Sequence, residues 1–250
     1  MKTIRLLTFD LDNTLWNNNP VIVRAEHILY QWLEKNCERL TKRFSPQDLI
    51  EHRMQLLEKH PELIAQISEA RKRSLHYSLL QAGYSTESAH DASNRAFAIF
   101  LEARNRVELF GGVRDELLSL KQDFTIGALT NGNVELHKTD AADLFDFHVS
   151  AEDVNERKPG KAQFQFALTS VNAAPWQCIH IGDHPLDDIR GAASLGINTI
   201  WFNMTGEEWN TEKYGIKPQN CYTAANWKAI GKTIRLIAAQ TADENINKND

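Results

Sequence analysis

Ile4-Arg5-Leu6-Leu7-Thr8-Phe9-Asp10-Leu11-Asp12-Asn13-Thr14 is the stretch on which the reading of this chain turns. The run from Ile4 to Phe9 is short, largely apolar and bounded by charge on both sides. It is too short for a helix and reads as a buried strand. Asp10 then stands at the strand's carboxyl end, and Asp12 follows where the chain must bend and expose backbone N–H groups. Like charges this close repel each other, and a divalent hard cation with oxygen ligands is the usual compensation. For this fragment alone, a solvated loop after a strand is the competing reading.

Working outward, three further apolar runs have the same character. Phe124 to Leu129 leads into the turn-forming Thr130-Asn131-Gly132-Asn133, Cys178 to Ile181 ends in Gly182-Asp183, and Ile197 to Phe202 follows Gly196, a helix-closing cap. Helical patterns lie between them: Val113 to Lys121, Ala162 to Val171 and Asp188 to Leu195. The fold class expected is therefore α/β, with a doubly wound, Rossmann-like parallel sheet. Right-handed crossovers place every strand's carboxyl end along one edge, where ligands of such sheets bind.

Residues 20 to about 105 break the alternation, because their apolar residues recur at three and four. Ala25, Ile28, Leu29, Trp32, Leu33 and Leu40 form one stripe. Ser45-Pro46-Gln47-Asp48 predicts a capped helix that ends near Pro61. A third helix is expected from Glu62 to about Ala82, stopping at Gly83, and Ser85 or Thr86 caps a fourth. The segment reads as an all-α insert. Beyond Asn203 the pattern weakens: Met204 to Asn220 is loop-like, Ala224 to Ala239 is an amphipathic helix, and 241–250 is expected to be a disordered tail.

Composition narrows the function classes. With 250 residues, 42% hydrophobic content and a formal charge of −5, the chain suits a globular protein and not a nucleic-acid surface built on clustered Lys and Arg. No apolar run approaches a membrane span, and no export signal is evident, since Asp10 and Asp12 interrupt the first apolar run. Cys37, Cys178 and Cys221 form no CxxC pair, and buried reduced thiols in a cytoplasmic protein are expected.

The chemistry-bearing residues cluster at the expected strand ends. Asp183 joins Asp10 and Asp12 as a magnesium site, because two strand ends that both present carboxylates are costly without a metal. Asp187 and Asp188 also suit a helix start, where acids favour the dipole. Asp188 is assigned to the metal's surroundings. Thr130 and Asn131 supply a hydroxyl and an amide, and Lys158 a cation before Pro159-Gly160. A hydroxyl donor, a cation, a metal and a carboxylate suit phosphoryl transfer, which rests on positioning and charge neutralisation.

Asp10-x-Asp12-x-Thr14, Thr130, Lys158 and Gly182-Asp183 with Asp188 occur in order, and together they resemble the motifs of the haloacid dehalogenase superfamily. The resemblance covers residues 1 to about 203. It implies a core of residues 1–17 and 107–240 with a helical cap at 18–106. It also implies that Asp10 is the nucleophile, that Asp12 is the general acid/base and lends its backbone carbonyl to the metal, and that Thr130 and Lys158 hold phosphoryl oxygens. Asp10, Asp12, Asp183 and Asp188 would surround Mg2+, with Thr14 and Asn131 on the substrate side.

Hydrolytic dehalogenases of the superfamily lack the second aspartate, so Asp12 favours a phosphate ester. Further stretches, Asn19-Pro20-Val21-Ile22, Arg24 with Glu26, Arg71-x-Arg73-Ser74 and Thr130-Asn131-Gly132-Asn133, resemble bacterial phosphatases active on flavin mononucleotide and on a phosphorylated ribitylaminouracil. The expected partner is a small phosphorylated metabolite, with no nucleic acid or membrane, and the chain is a monomer or homodimer. A phosphomutase, a dehalogenase or a phosphoacceptor signalling module are the rival readings. Arg24, Arg71 and Arg73 are candidates to face substrate, Trp16 to border its pocket, and His184 to approach the site. His180 and Trp32 read as packed residues.

Overall fold

The computed structural model describes residues 3–246. Among them, six strands form one sheet: β1 (Leu6–Phe9), β2 (Thr125–Thr130), β3 (Phe147–Ser150), β4 (Cys178–Gly182), β5 (Asn198–Phe202) and β6 (Cys221–Ala224). Their spatial order is β3-β2-β1-β4-β5-β6, and every neighbouring pair is parallel. The four apolar runs became β1, β2, β4 and β5, and the α/β parallel sheet is the fold the alternation demanded. β3 and β6 escaped notice because they are four-residue strands at the two edges, each part-exposed and without a continuous apolar run.

Strand order reverses beside β1, which pairs with β2 on one side and β4 on the other. That is the switch point at which open α/β sheets leave a crevice. Phe9 is in register with Ala128 and Ile181, so Asp10 emerges next to the ends of both neighbours. The Asp10 amide extends the ladder by one bond to the Ile181 carbonyl at 2.9 Å. Burial of the whole strand fixes this register, since slipping by one residue would exchange the faces of Leu6, Leu7 and Phe9, all fully buried. Phe9 stacks on Trp227 at 5.6 Å between ring centroids, and burying such a ring stabilises by roughly 1.5–3 kcal/mol.

The chain divides into two compact units. One holds residues 1–17, 108–131 and 140–250, and the other 18–107 with 132–139. The second unit contains helices Asn18–Asn36, Pro46–Lys59, Ile67–Gln81 and Thr86–Arg104, packed on Ala25, Leu29, Leu33, Leu40, Leu79 and Phe100. Ser45 caps the second helix as expected, and the structure makes the cap reciprocal, with Ser45 Oγ accepting from the Asp48 amide at 3.2 Å and Asp48 Oδ2 accepting from the Ser45 amide at 2.7 Å. Gly83 closes the third helix at φ +84°, a left-handed conformation open to glycine.

Three expectations about extent differ from the structure. The helix expected to begin at Glu62 is interrupted: Pro61–Ala65 is a 3-10 turn that buries Leu63 and Ala65, and Gln66 leaves the helical path before Ile67. Residues 132–139, read as part of the core, group with the helical unit. There Glu135 Oε2 accepts from Asn105 Nδ2 at 2.9 Å, the Glu135 amide donates to Asn105 Oδ1 at 2.9 Å, and Asn133 Nδ2 donates to Ser68 Oγ at 3.2 Å. The last helix spans Trp227–Ile246, through the start of the stretch read as a disordered tail, because Ile230, Ile234 and Ile237 give it a buried stripe. Residues 247–250 of that tail lie outside the described residues. Among the described residues, no helix is long and apolar enough to cross a membrane. Cys37 and Cys178 are buried and free, whereas Cys221 is free and only part-buried.

Candidate active site

The turn after β1 is set by Asn13, whose φ of +60° lies in the left-handed region that Asn tolerates. Its amide donates to the Trp16 carbonyl at 2.8 Å, folding residues 10–16 into a tight loop. Thr14 is thereby turned inward and fully buried. Its hydroxyl lies 3.3 Å from Asp10 Oδ2 and 3.4 Å from Asp183 Oδ1, and its single proton serves one or the other. Thr14 thus meets carboxylates, whereas a contact with substrate was expected of it.

Lys158 is the centre of charge. It is buried, and its three ammonium protons match three acceptors: Asp10 Oδ1 at 2.7 Å, Asp188 Oδ1 at 2.6 Å and the Leu129 carbonyl at 2.8 Å. Burial alone would lower its pKa, but Asp10 and Asp188 outweigh it and hold the ammonium charged far above neutrality. Asp188 shows the reverse balance. Burial would raise its pKa, yet Lys158 and His180 hold the carboxyl well below the usual carboxylate range.

Asp188 reaches Lys158 because of an unusual local path. Residues Pro185–Arg190 wind as a π-helical turn in which both the Asp188 and Ile189 amides reach the His184 carbonyl, at 3.0 and 3.3 Å. Such turns recur at functional sites. A helix starting at Asp188 was expected; the structure starts the turn at Pro185, and the backbone amide of His184 donates to Asp188 Oδ2 at 2.9 Å. Gly182 makes room for this, since a Cβ there would fall 2.3 Å from the Asp188 carboxyl carbon.

Asp10, Asp183 and Asp188 form a group whose carboxylate oxygens lie within 4.8 Å of one another. Burial, with Asp188 and Asp183 adding repulsion, raises the Asp10 pKa well above the carboxylate range despite Lys158. Burial, reinforced by Asp188, pushes Asp183 up to about 7. Three carboxylates thus face a single ammonium, and a divalent hard cation is the group that fits this surplus of anionic oxygen. Both Asp188 oxygens are already bonded to Lys158 and the His184 amide, which leaves Asp10 and Asp183 the more open donors. The Asp12 carboxylate lies outside this group; its Oδ1 accepts from Trp16 Nε1 at 2.8 Å.

Thr130 ends β2, at the same edge of the sheet as Asp10, and is 1% exposed. Asn131 follows it. Its Oδ1 accepts from the Lys158 amide at 2.8 Å and its Nδ2 donates to the Lys158 carbonyl at 2.9 Å. Its amide is therefore committed to the lysine segment, where a substrate contact was expected.

Several other candidates resolve plainly. Trp16, expected to border the pocket, is fully buried, and its indole N–H donates to Asp12 Oδ1. His180 is buried under the edge of Phe164. Its Nδ1 lies 2.9 Å from Thr8 Oγ1 and its Nε2 3.3 Å from Asp188 Oδ1, so Nε2 carries the proton and donates to the carboxylate. Burial lowers its pKa and keeps it neutral. His184 Nδ1 accepts from the Asp187 amide at 3.0 Å and so caps the π-helical turn. In the helical unit, Arg71 is buried against Glu26 at 2.8 Å, Arg73 pairs with Glu69 at 2.7 Å on the surface, and Arg24 bonds the Arg106 carbonyl. Sequence reasoning missed Trp201, whose indole N–H donates to the Asp183 carbonyl at 2.9 Å. The aromatic density of Trp201, Trp209 and Tyr214 around an otherwise polar loop was the available signal.

Known proteins resemble this chain in sequence and in fold. The haloacid dehalogenase-like hydrolase family matches residues 4–196. The 5-amino-6-(5-phospho-D-ribitylamino)uracil phosphatase YigB of Escherichia coli K12 is 30% identical over 198 residues, which is 79% of this chain and 83% of that protein. A solved structure, the 2-haloacid dehalogenase from Pseudomonas syringae pv. Tomato DC3000, is 35% identical with a TM-score of 0.86, covering 93% of this chain and 98% of the other. The putative HAD-hydrolase YfnB from Bacillus subtilis, bound to magnesium, shares the fold at a TM-score of 0.64 and 19% identity, over 94% and 100% of the two chains. With the family spanning most of the sheet and a relative at this identity over most of its length, the chain belongs to the haloacid dehalogenase-like hydrolases.

Proposed function

We propose that this hydrolase is a magnesium-dependent phosphatase that removes phosphate from a small phosphorylated metabolite through an aspartyl-phosphate on Asp10. The observation that carries the reading is the Asp10 carboxylate itself. It is held at the switch point of the sheet, one oxygen 2.7 Å from the Lys158 ammonium, beside Asp183 and Asp188. A carboxylate so placed is fixed and desolvated, as a covalent nucleophile must be.

In this reading an Asp10 oxygen forms a bond to phosphorus while the bond to the leaving oxygen breaks, and the Asp12 carboxyl gives that oxygen its proton. Water then attacks the acyl phosphate, Asp12 takes the water's proton, and inorganic phosphate leaves with Asp10 restored. The Trp16 indole bond orients Asp12 for both halves. Lys158 and Thr130 hold phosphoryl oxygens, Asn131 holds Lys158, and Thr14 spaces the Asp10 and Asp183 carboxylates. Asp10 and Asp183, with the Asp12 backbone carbonyl, would hold the magnesium, which would supply charge neutralisation at the phosphoryl oxygens.

YigB and the further curated relatives named as a pyrimidine 5′-nucleotidase and a phosphoserine phosphatase favour a metabolite-sized phosphate ester. Flavin mononucleotide and a phosphorylated riboflavin precursor are the first substrates to try. The test is magnesium-dependent phosphate release from an aryl phosphate by the folded enzyme, abolished by Asp10→Asn. Absence of release from the metal-loaded wild type would reject the proposal. The Pseudomonas structure's name favours a second reading, haloacid dehalogenation. Halide release from 2-chloropropionate without magnesium would support that reading, and Asp12, which its chemistry does not need, argues against it.

A further inference from the structure

The α/β unit contains a cleft of about 650 Å³ between the strand ends and the segment that follows β5. Its inner wall carries Asn13 and Asp183, so the cleft begins at the carboxylate cluster. A phosphoryl group and one ion would fill little of that volume, which falls within the roughly 300–1,000 Å³ typical of whole small-molecule sites.

We infer that this cleft is the subsite for the leaving group, and that residues 201–214 make it select an uncharged ring-bearing leaving group against an anionic one. The inference rests on the phosphatase reading. Two observations carry it. Ring side chains line the cleft, Trp201 and Phe202 at its base and Tyr214 on its outer wall, and such faces take planar groups by offset or edge packing. Glu207 and Glu208 stand on its rim against the single ammonium of Lys213, so a leaving group with its own carboxylate meets repulsion.

The wall is built before any ligand arrives. Trp201 Nε1 ties it to the Asp183 carbonyl at 2.9 Å. Asn203 braces the loop from both sides, donating to the Glu207 carbonyl at 2.8 Å and accepting from the Glu207 amide at 3.1 Å. Trp209 packs edge-on against Trp201 at 5.5 Å and tilted against Tyr214 at 5.9 Å, while its indole N–H donates to the Gly215 carbonyl at 2.7 Å. Arg190 holds the Tyr214 carbonyl. Such a wall loses little freedom on binding, and the contact energy is kept for selection.

The test compares kcat/KM for flavin mononucleotide, glycerol 3-phosphate and 2-phosphoglycolate. Wild type is expected to favour the ring ester over glycerol 3-phosphate by at least about tenfold, and Tyr214→Ala to cut that ratio by about tenfold. Met204→Trp, which replaces an exposed lining residue with a bulkier one and leaves Trp201, Phe202 and Tyr214 in place, is expected to cut it too. Glu207→Gln combined with Glu208→Gln should raise 2-phosphoglycolate turnover relative to glycerol 3-phosphate severalfold. Turnover of all three esters at equal rates, or ratios within twofold of wild type in these folded variants, overturns the inference and leaves the phosphatase reading intact. Binding of riboflavin, followed by quenching of its fluorescence, gives a readout without catalysis. Saturable binding weakened about tenfold by Tyr214→Ala supports the cleft even if no ester is hydrolysed, whereas wild type that fails to bind riboflavin overturns it.

Discussion

Asn131 clasps Lys158 across a single residue, its side-chain oxygen on the Lys158 amide at 2.8 Å and its side-chain nitrogen on the Lys158 carbonyl at 2.9 Å. Gln163 Nε2 adds a bond to the same oxygen at 3.1 Å. The residue after β2 therefore locates the residue that neutralises the residue after β1. Two strand ends are locked together by one amide.

Asn131→Ala should lower kcat by about 10–100-fold, since a displacement near 1 Å at a catalytic group has that order of cost. Stability should fall by only about 1–2 kcal/mol, the scale of lost hydrogen bonds with water able to enter a half-buried site. Asn131→Asp keeps the acceptor for the Lys158 amide but presents a second acceptor to the Lys158 carbonyl, so it should rescue little. Steady-state rates and thermal melts on the three proteins check this. Unchanged kcat in Asn131→Ala would show that Lys158 is positioned by other contacts.

Gly182→Ala tests the close approach of Asp188 to β4. The added methyl would sit 2.3 Å from the Asp188 carboxyl carbon, and Asp188 cannot retreat while Lys158 and the His184 amide hold its oxygens. Overpacking of this kind costs about 1–3 kcal/mol. We expect a matching fall in melting temperature and loss of most activity. A variant with wild-type turnover would mean that Asp188 tolerates displacement.

Lys158→Met removes the ammonium from between Asp10 and Asp188 and leaves both carboxylates buried. Breaking a buried pair from one side costs about 3–5 kcal/mol. In the metal-free protein, urea melts should show a loss of this order. Magnesium should recover part of it, because the ion answers the same negative charge. A metal-free stability equal to wild type would contradict the charge balance described for the site.

The pH dependence of stability follows from Asp183, which burial and Asp188 push up to about 7, and from Asp10, raised in the same direction. Unfolded, such carboxyls release their protons near pH 4, so between about 4 and 7 the folded chain binds more protons than the unfolded chain. Stability of the metal-free protein should therefore fall as pH rises through that window. Asp188 acts oppositely: its lowered pKa gives stability that is present above about pH 4 and lost only in stronger acid. Magnesium binds the ionised cluster, so its stabilisation should be larger at pH 8 than at pH 5. Melting temperatures with and without chelator, for wild type and Asp183→Asn, measure both effects. A magnesium shift independent of pH, or one retained in full by Asp183→Asn, would sink the argument.

Much of this molecule is legible in its residues because the signals are local. The strand through Phe9 shows itself as an apolar run stopped by Asp10, Ser45 and Asp48 announce a helix start, and Gly83 announces a helix end. The residues that meet at the candidate site announce themselves less directly. Asp188 reads equally well as a helix-dipole residue, and only the π-helical turn at Pro185–Arg190 turns it back to Lys158. Asn131 reads as a substrate contact until its two bonds to Lys158 are seen. Trp16 reads as pocket-lining, and its full burial depends on the left-handed turn at Asn13.

Taken by itself, the sequence determined the alternation of strand and helix, and with it the parallel sheet and the edge at which Asp10, Thr130 and Asp183 emerge. Periodicity and capping act within a few residues, so no knowledge of distant contacts was needed. Tertiary structure decided which oxygen Lys158 grips, that Asp12 turns to Trp16, that residues 132–139 group with the helices, and that the loop after β5 forms a walled cleft. Those outcomes depend on hydrogen bonds and charges that include pairs 148 and 169 positions apart, Lys158 with Asp10 and Thr14 with Asp183. Their strength is set by burial, which a linear string does not record.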